Sequence, residues 1–263
     1  MNQPASRSFF ADPAGEHQDY APALTGLRGV AALWVFLYHA WVFSEPRLML
    51  VNLAGTTLDF TPLFSIGWAG VDIFFVLSGF LISMPYVRAG FGQTARPSTA
   101  SFLRRRVLRV FPAYWVQLLL LASLGWLGFY GSSLSPSEFL KSAFMLFNIG
   151  PWSAVKMNDV WWTLPVEFGF YLMVPLLGAF MRPTRWPWLL AGAIIWTLAW
   201  RIGMFQLIAD QSVQTKVVTL ESVYGRMDQF TLGVVMAVLH TRLRLRGMAL
   251  PAAWANALLI VGI

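Results

Sequence analysis

Apolar and polar stretches alternate along nearly the whole chain, and the apolar ones are long. An α-helix needs about 20 mostly apolar residues to cross a bilayer. The segments that approach this length are residues 27–43, 65–87, 110–130, 161–180, 188–208 and 223–240, and one that begins near Ala249. We therefore predict an all-α fold, a polytopic transmembrane helical bundle of about seven spans.

Two segments do not fit the spanning pattern. Residues 1–23 are polar and lack the apolar core of a signal peptide, so they predict a cytosolic N-terminal tail before a transmembrane domain over residues 24–263. Residues 138–150 are apolar but too short to span, which predicts a re-entrant or interfacial helix on the outer side. The seventh segment is still apolar at Ile263, so we expect the domain to be incomplete at its C-terminus.

The composition agrees with a membrane protein. Of 263 residues, 19 are basic and 12 are acidic, whereas 57% are hydrophobic. A soluble domain needs about twice this share of charged residues to cover its surface, so an ordinary soluble enzyme and a disordered chain are both excluded. The sequence contains no cysteine, which excludes a disulfide, a thiolate nucleophile and a cysteine-ligated metal.

The basic residues predict the orientation of the helices. With a cytosolic N-terminus, the inner segments hold 12 of the 19 basic residues and the outer segments hold four. This is the positive-inside bias of a multi-pass protein in a bacterial-type inner or plasma membrane. It explains the net charge of +7 without a nucleic-acid partner. Two of the three histidines, His17 and His240, lie outside the interior of the spans, so we predict no metal site.

Arg28 and His39 lie on the first predicted helix, 11 residues apart. Eleven residues make about three turns, so both side chains lie on one face with a rise of about 16 Å between them. Arg28 lies at the cytosolic rim, where the positive-inside rule alone would explain it. His39 lies near the middle of the membrane, where an interhelical hydrogen bond would also explain it.

Further ionisable residues lie between the middle of the membrane and its outer face. They are Asp72, Glu167, Arg201, Arg226 and Asp228. Charged groups in a span are costly and usually pair or line a polar cavity. Together with His39 they form either a satisfied structural network or a polar chamber open to the outside. Ser78 and Gly79 lie near mid-depth, where small residues usually allow helices to pack closely.

The segment between the second and third predicted spans contains an arginine cluster, which we define as Arg104, Arg105, Arg106 and Arg109. We predict a loop whose helical part places Arg109 on one face with Arg105 and with Arg106. One interpretation is topology and attraction to anionic lipid. The other is a clamp for phosphate groups, such as those of a coenzyme A nucleotide, because arginine pairs with phosphate through two hydrogen bonds.

Five segments carry most of these residues. In chain order they are LTGLRGVAALWVFLYHAW, GVDIFFVLSGFLI, RRRVLRVFPAYW, WWTLPVEFGFYLMVP and GRMDQFTLG, and they cover roughly residues 24–235. Together they resemble acyltransferase family 3, a family of multi-pass membrane O-acyltransferases. The resemblance implies a fold of about ten spans, of which this chain shows about seven.

The resemblance also implies a reaction. Members of the family move an acyl group, often acetyl, from a cytosolic acyl-CoA to a hydroxyl of a carbohydrate or lipid-linked sugar beyond the membrane. It implies that Arg28 and His39 are the family's first-span arginine and histidine and that His39 is catalytic. It also implies that the arginine cluster binds the donor and that Glu167 is the family's membrane glutamate. We expect Arg28 to help bind the donor. No tightly bound cofactor is expected, because acetyl-CoA or another acyl-CoA is a substrate.

We expect His39 to act as the general base, with Glu167 or Asp72 orienting the imidazole or positioning the sugar. The pantetheine arm of the donor would run along the first helix from its cytosolic end. A covalent acyl-enzyme on His39 or Ser78 stays open. Two other functions also stay open: a proton- or substrate-coupled transporter that uses the midplane charges, and a non-catalytic membrane scaffold.

Overall fold

A computed structural model describes residues 22–44, 48–131, 133–147 and 157–247. Most of the predicted N-terminal tail and the predicted helix near Ala249 lie outside these residues. The chain divides into two compact units, residues 1–74 and 75–263, and the boundary falls inside one helix.

The described residues are mostly helical. In chain order the elements are α1 Pro22–Val42, β1 Leu50–Leu53, β2 Thr56–Asp59, α2 Thr61–Ser65, α3 Ala69–Gly90, α4 Thr99–Trp126, α5 Pro136–Ala143, α6 Thr163–Leu177, α7 Trp186–Leu207, α8 Val213–Leu220 and α9 Met227–Leu245. Short 3-10 turns, Asp159–Trp162 and Tyr224–Arg226, precede α6 and α9. Six of the seven predicted spans therefore coincide with a helix.

Four helices among the described residues are long and apolar enough to cross a membrane. They are Ala69–Gly90, Thr99–Trp126, Val160–Leu177 and Trp186–Leu207. The helices α1 and α9, at the first and sixth predicted spans, are 21 and 19 residues long. They are less apolar, because α1 contains Arg28 and His39, and α9 contains charged residues at both ends.

The all-α prediction missed a β-hairpin in the first unit. Strands β1 and β2 pair antiparallel, with Leu50 opposite Asp59 and Leu53 opposite Thr56. Ala54 and Gly55 join them with φ of 52° and 85°, which is the pair of positive angles that a two-residue hairpin turn requires. The strands LVNL and TTLD contain Val and Thr, which favour strands. The segment is too short and too polar to be found in a search for membrane spans.

The third predicted span begins too late in the chain. Residues 88–109 were expected to form a loop with a helical part, but α4 begins at Thr99 and is continuous through Pro112. Ser98 caps it by accepting a hydrogen bond from the Ser101 amide, a role that serine favours. The arginine cluster therefore lies in the first three turns of a long helix rather than in a loop.

The segment predicted as a short re-entrant or interfacial helix, residues 138–150, overlaps α5, which has eight residues. Ser135 and Glu138 form a reciprocal capping box at its N-terminus. Eight residues rise about 12 Å, well short of the roughly 30 Å of a hydrocarbon core. The described part of the segment, residues 138–147, therefore contains no helix long enough to span.

In the second unit, glycines let α3 and α9 cross in close contact. A Cβ on Gly79 would clash with the backbone oxygen of Phe230, and one on Gly233 would clash with the backbone oxygen of Val76. Beside the crossing, the ring of Phe230 stacks on Phe170 of α6 with centroids 4.3 Å apart. Small residues thus bring the backbones together, and aromatic side chains fill the adjacent core.

The C-terminal ends of α3, α6 and α9 lie at the same end of the second unit. One cavity is lined by the end of α3, by the segment that follows it and by the residues after α6. Thr241 near the end of α9 contacts Met84 near the end of α3, Oγ1 to Sδ 3.7 Å. The predicted topology requires this arrangement, because it places all three ends on the inner side.

Candidate active site

His39 and Arg28 lie on one uninterrupted helix, α1, as the sequence predicted. Nδ1 of His39 is 2.8 Å from the backbone oxygen of Val35, one turn earlier. A carbonyl oxygen only accepts hydrogen bonds, so Nδ1 carries a proton and donates it. In the neutral ring the lone pair is then on Nε2. The local structure of α1 therefore selects the tautomer that can accept a proton at Nε2.

Asp72 lies half-buried in the first turn of α3. A carboxylate is stabilised there by the helix dipole, which is a structural role that needs no ligand. Two residues earlier, a Cβ on Gly70 would lie 2.7 Å from both the backbone oxygen of Ala31 and a methyl carbon of Val35. Glycine thus lets the start of α3 pack against the stretch of α1 that leads to His39.

Ser78 and Glu167 meet in the second unit. Ser78 on α3 donates from Oγ to Oε1 of Glu167 on α6, at 3.1 Å. The hydroxyl of Tyr171, one turn further along α6, donates to the same oxygen at 2.6 Å. Among the described residues Oε2 has no hydrogen-bond partner. Two donors therefore fix one oxygen of this carboxylate and leave the other for a ligand.

Ser78 and Gly79, which the sequence analysis considered together, have different roles in the structure. Gly79 serves the close packing of α3 against α9, whereas Ser78 is 5% exposed and its hydroxyl reaches Glu167. Sequence reasoning missed Tyr171. The signal was available, because residues four apart on a helix lie on one face, and Tyr171 follows Glu167 by four.

The arginine cluster does not act as one surface. Arg105 turns outward and donates from Nη1 to Oγ of Ser101 at 2.6 Å. Arg106 turns inward, and its guanidinium lies 5.4 Å from the ring of Phe102 and 5.5 Å from that of Tyr171. Its Nε is buried with no hydrogen-bond partner among the described residues. Arg106 is therefore an interior group next to the partner of Glu167, and Arg104 and Arg109 are exposed.

The remaining predicted cavity residues have other partners. Arg201 on α7 lies 3.5 Å from Oδ2 of Asp228 on α9, and it donates to the backbone oxygen of Gly225 at 3.0 Å. The guanidinium of Arg226 lies 5.5 Å from the ring of Trp162, just before α6. The structure thus brings Arg201 and Asp228 together as an ion pair and places Arg226 on an aromatic face, while Ser78 binds Glu167.

Several polar atoms on α7, on α9 and in the segment just before the Tyr224–Arg226 turn are buried without a hydrogen-bond partner among the described residues. They are Oγ1 of Thr197, Nε of Arg201, Oγ of Ser222, Oδ1 of Asp228 and Oε1 of Gln229. Buried polar groups in native proteins are almost always paired with protein or water. This concentration of donors and acceptors suits water or a ligand with several hydroxyl groups.

A family profile described as an acyltransferase domain, that of acyltransferase family 3, matches residues 22–263. The match covers nearly the whole chain, so the chain belongs to this family. Together with the four apolar helices, family membership makes it a membrane protein. The predicted resemblance is confirmed.

Individual relatives give the same result. Nodulation protein 10 of Rhizobium leguminosarum bv. viciae is 31% identical over 71% of this chain and 51% of its own length. Acyltransferase MdmB of Streptomyces mycarofaciens is 28% identical over 83% of this chain and 57% of its own. YrhL of Bacillus subtilis, named as a candidate peptidoglycan O-acetyltransferase, is 28% identical over 65% of this chain and 26% of its own length. The chain therefore spans about half the length of the first two relatives. No solved structure matches it.

Proposed function

We propose that this chain transfers an acyl group, most simply acetyl, from a cytosolic acyl-CoA to a hydroxyl of an extracytoplasmic carbohydrate or cell-envelope acceptor. One observation carries the proposal: the hydrogen bond from Nδ1 of His39 to the Val35 carbonyl, which leaves Nε2 as a proton acceptor. Membership in an acyltransferase family supports the reaction class. The name of the Bacillus subtilis relative supports an O-acetyl product on a carbohydrate.

The topology that goes with this proposal has seven spans and a cytosolic N-terminus. The meeting of the α3, α6 and α9 ends supports it, because those ends carry most of the basic residues assigned to the inner side. The shortness of α5 also supports it, since an eighth crossing there would reverse every later helix.

In the proposed reaction His39 acts as the general base. Nε2 takes the proton of the acceptor hydroxyl as its oxygen attacks the thioester carbonyl. A C–O ester bond forms, the C–S bond breaks, and the departing thiolate takes the proton from the imidazolium to leave as coenzyme A thiol. The hydrogen bond to Val35 holds the ring in one orientation through the cycle. Asp72 is proposed to orient His39 from the start of α3.

Glu167 is proposed to position the acceptor. Its Oε1 is held by Ser78 and Tyr171, so Oε2 is presented in a fixed direction to a hydroxyl group. The region of Arg201 and Asp228 supplies further donors and acceptors for a sugar with many hydroxyls. This assignment makes Ser78 a support for Glu167 rather than a nucleophile, because its proton is already directed at a carboxylate.

The donor is proposed to bind at the inner end of α4. Arg104 and Arg109 are exposed there and offer bidentate hydrogen bonds to phosphate. Arg28 on α1 is proposed as a further donor-binding residue. Arg106 lies beneath this surface against Tyr171, so it links the donor-binding turns of α4 to the residue that holds Glu167.

The proposal is tested with inside-out membrane vesicles, in which the cytosolic face is accessible. Acetyl-labelled acetyl-CoA is added, and base-labile label in the carbohydrate fraction is counted. We expect ester label with the wild-type chain, a large loss with Glu167→Gln, and none in right-side-out vesicles, whose membrane excludes the donor. A transporter would move label across the membrane without forming an ester, and that outcome would overturn the proposal.

A further inference from the structure

The cavity at the inner end of the second unit contains residues that the proposed reaction has not used. It has a volume of about 300 Å³ and is formed by the end of α3, the segment before α4 and the turn after α6. Among the described residues its polar side chains are those of Tyr86, Arg96 and Arg182, and the rest of that lining is alanine and glycine. No carboxylate of the described part of the chain lines it. Two positive charges therefore face a cavity without an opposing acid.

The two arginines differ in what they already bind. Arg96 donates from Nη2 to the backbone oxygen of Pro175 at 2.8 Å, which satisfies a carbonyl near the end of α6. Its other guanidinium N–H groups are not needed for that bond. The guanidinium of Arg182 is exposed and has no hydrogen-bond or ion-pair partner among the described residues. Helix capping therefore accounts for one hydrogen bond of Arg96 and for none of Arg182.

Glycines keep the cavity open. A Cβ on Gly178 would lie 3.0 Å from Cδ1 of Tyr86 and 3.5 Å from Nη2 of Arg96, so a side chain there would fill the space in front of both groups. A Cβ on Gly90 would clash with the backbone oxygen of Met181, so glycine lets the ends of α3 and α6 approach each other. The close approach of the two helix ends therefore shapes the cavity, and the lack of a side chain at Gly178 keeps it open.

We infer that this cavity is a phosphate-binding site held by Arg96 and Arg182, which receives the diphosphate of the acyl-CoA donor and leaves the donor's 3′-phosphate to Arg104 and Arg109 on α4. Paired guanidinium groups suit a multiply charged phosphate ester better than a single carboxylate. The volume lies at the lower end of the range of ligand pockets, so it admits a group larger than one phosphate. The identity of the phosphate carrier rests on the proposed function.

Contacts inside the unit connect the cavity to Glu167. The ring of Tyr86 meets that of Phe102 with centroids 5.4 Å apart, and Phe102 in turn lies under the guanidinium of Arg106. Along α3, Tyr86 and Ser78 are eight residues apart, a rise of about 12 Å. The pantetheine arm separates the phosphates of coenzyme A from its thioester by a distance of this order. A donor with its diphosphate in the cavity would therefore present its thioester at the depth of Ser78.

The test measures binding rather than transfer. Full-length chain in phosphatidylcholine nanodiscs is titrated with coenzyme A and with pantetheine, which lacks the phosphates. We expect Arg182→Ala to weaken coenzyme A binding at least about tenfold and to leave pantetheine binding unchanged. The affinity of Arg182→Lys for coenzyme A should lie between those of Arg182→Ala and wild type. Arg185→Ala, three residues away and outside the cavity, is the matched control and should bind within about twofold of wild type.

A second arm separates the two sources of phosphate. Nanodiscs that contain phosphatidylglycerol are compared by the amount of that lipid retained on the purified chain. Loss of retained lipid in Arg182→Ala, with coenzyme A binding intact, would support the phosphate site and overturn its assignment to the donor. Equal behaviour of Arg182→Ala and Arg185→Ala in both arms would overturn the site altogether. Absence of ester formation with intact coenzyme A binding would overturn the proposed function alone.

Discussion

Replacement of Tyr171 by phenylalanine tests the support of Glu167 with the smallest change. The substitution removes only the hydroxyl that donates to Oε1 at 2.6 Å and leaves the buried ring in place. A hydrogen bond to a charged group contributes about 1.5–3 kcal/mol. If that energy holds Glu167 in its working position, acyl transfer should fall about 10- to 150-fold.

The control for this substitution is Tyr114→Phe. Tyr114 is as deeply buried as Tyr171, and its hydroxyl donates to the backbone oxygen of Ser142 at 2.7 Å. It lies in a cluster with α5 rather than beside Glu167. We expect Tyr114→Phe to lower thermal stability and to keep the acyl-transfer rate per folded molecule within about twofold.

A double-mutant cycle makes the test specific. The rate of label transfer is measured for wild type, Tyr171→Phe, Glu167→Gln and the double variant, each normalised to folded protein in the membrane. Because Tyr171 is expected to act through Glu167, its substitution should cost much less in the Glu167→Gln background. An equal cost in both backgrounds, or an equal loss in Tyr114→Phe, would refute the reasoning.

Three further predictions concern stability. Gly79→Ala should destabilise the chain by about 1–3 kcal/mol or more in thermal unfolding, because its Cβ would clash with the Phe230 backbone. Gly203→Ala is the control and should not destabilise the chain, because the space around Gly203 is open. Ser135→Ala should cost about 1 kcal/mol in the same measurement, through loss of the α5 cap. The hydrogen bonds from Thr61, side chain first and then amide, hold the pKa of Asp59 below its ordinary value. Their contribution is complete above the unfolded pKa of about 3.9 and is lost as the pH falls through the lower folded pKa. Protection of the Thr61 amide, measured against its intrinsic exchange rate at each pH, should therefore fall there.

The sequence predicted the helices well because long apolar runs have few alternatives in a membrane. It predicted the ends poorly where polar residues continue a helix, as in α4, whose first three turns contain arginines that a hydropathy pattern assigns to a loop. The β-hairpin was missed because four-residue strands carry a weak pattern, and its turn requires positive φ at Ala54 as well as at Gly55.

The candidate site was only partly accessible from the sequence. Periodicity placed Arg28 and His39 on one face, because both lie on the same helix. It could not show that Ser78 reaches Glu167 across 89 positions of sequence, or that Arg106 turns inward while Arg105 turns outward. Those outcomes depend on how α3, α4 and α6 pack. Helix packing joins residues that lie far apart in the sequence, as where Gly79 of α3 meets Phe230 of α9.

The central claim is that His39 is the base for acyl transfer, and its most direct test is the transfer rate of His39→Ala. Labelled acetyl-CoA is supplied to membranes in which the variant inserts at the wild-type level, with His240→Ala as the matched histidine control. The account predicts a fall of about 10²- to 10⁴-fold for His39→Ala and little change for His240→Ala. Ester formation by correctly inserted His39→Ala at the wild-type rate would contradict it.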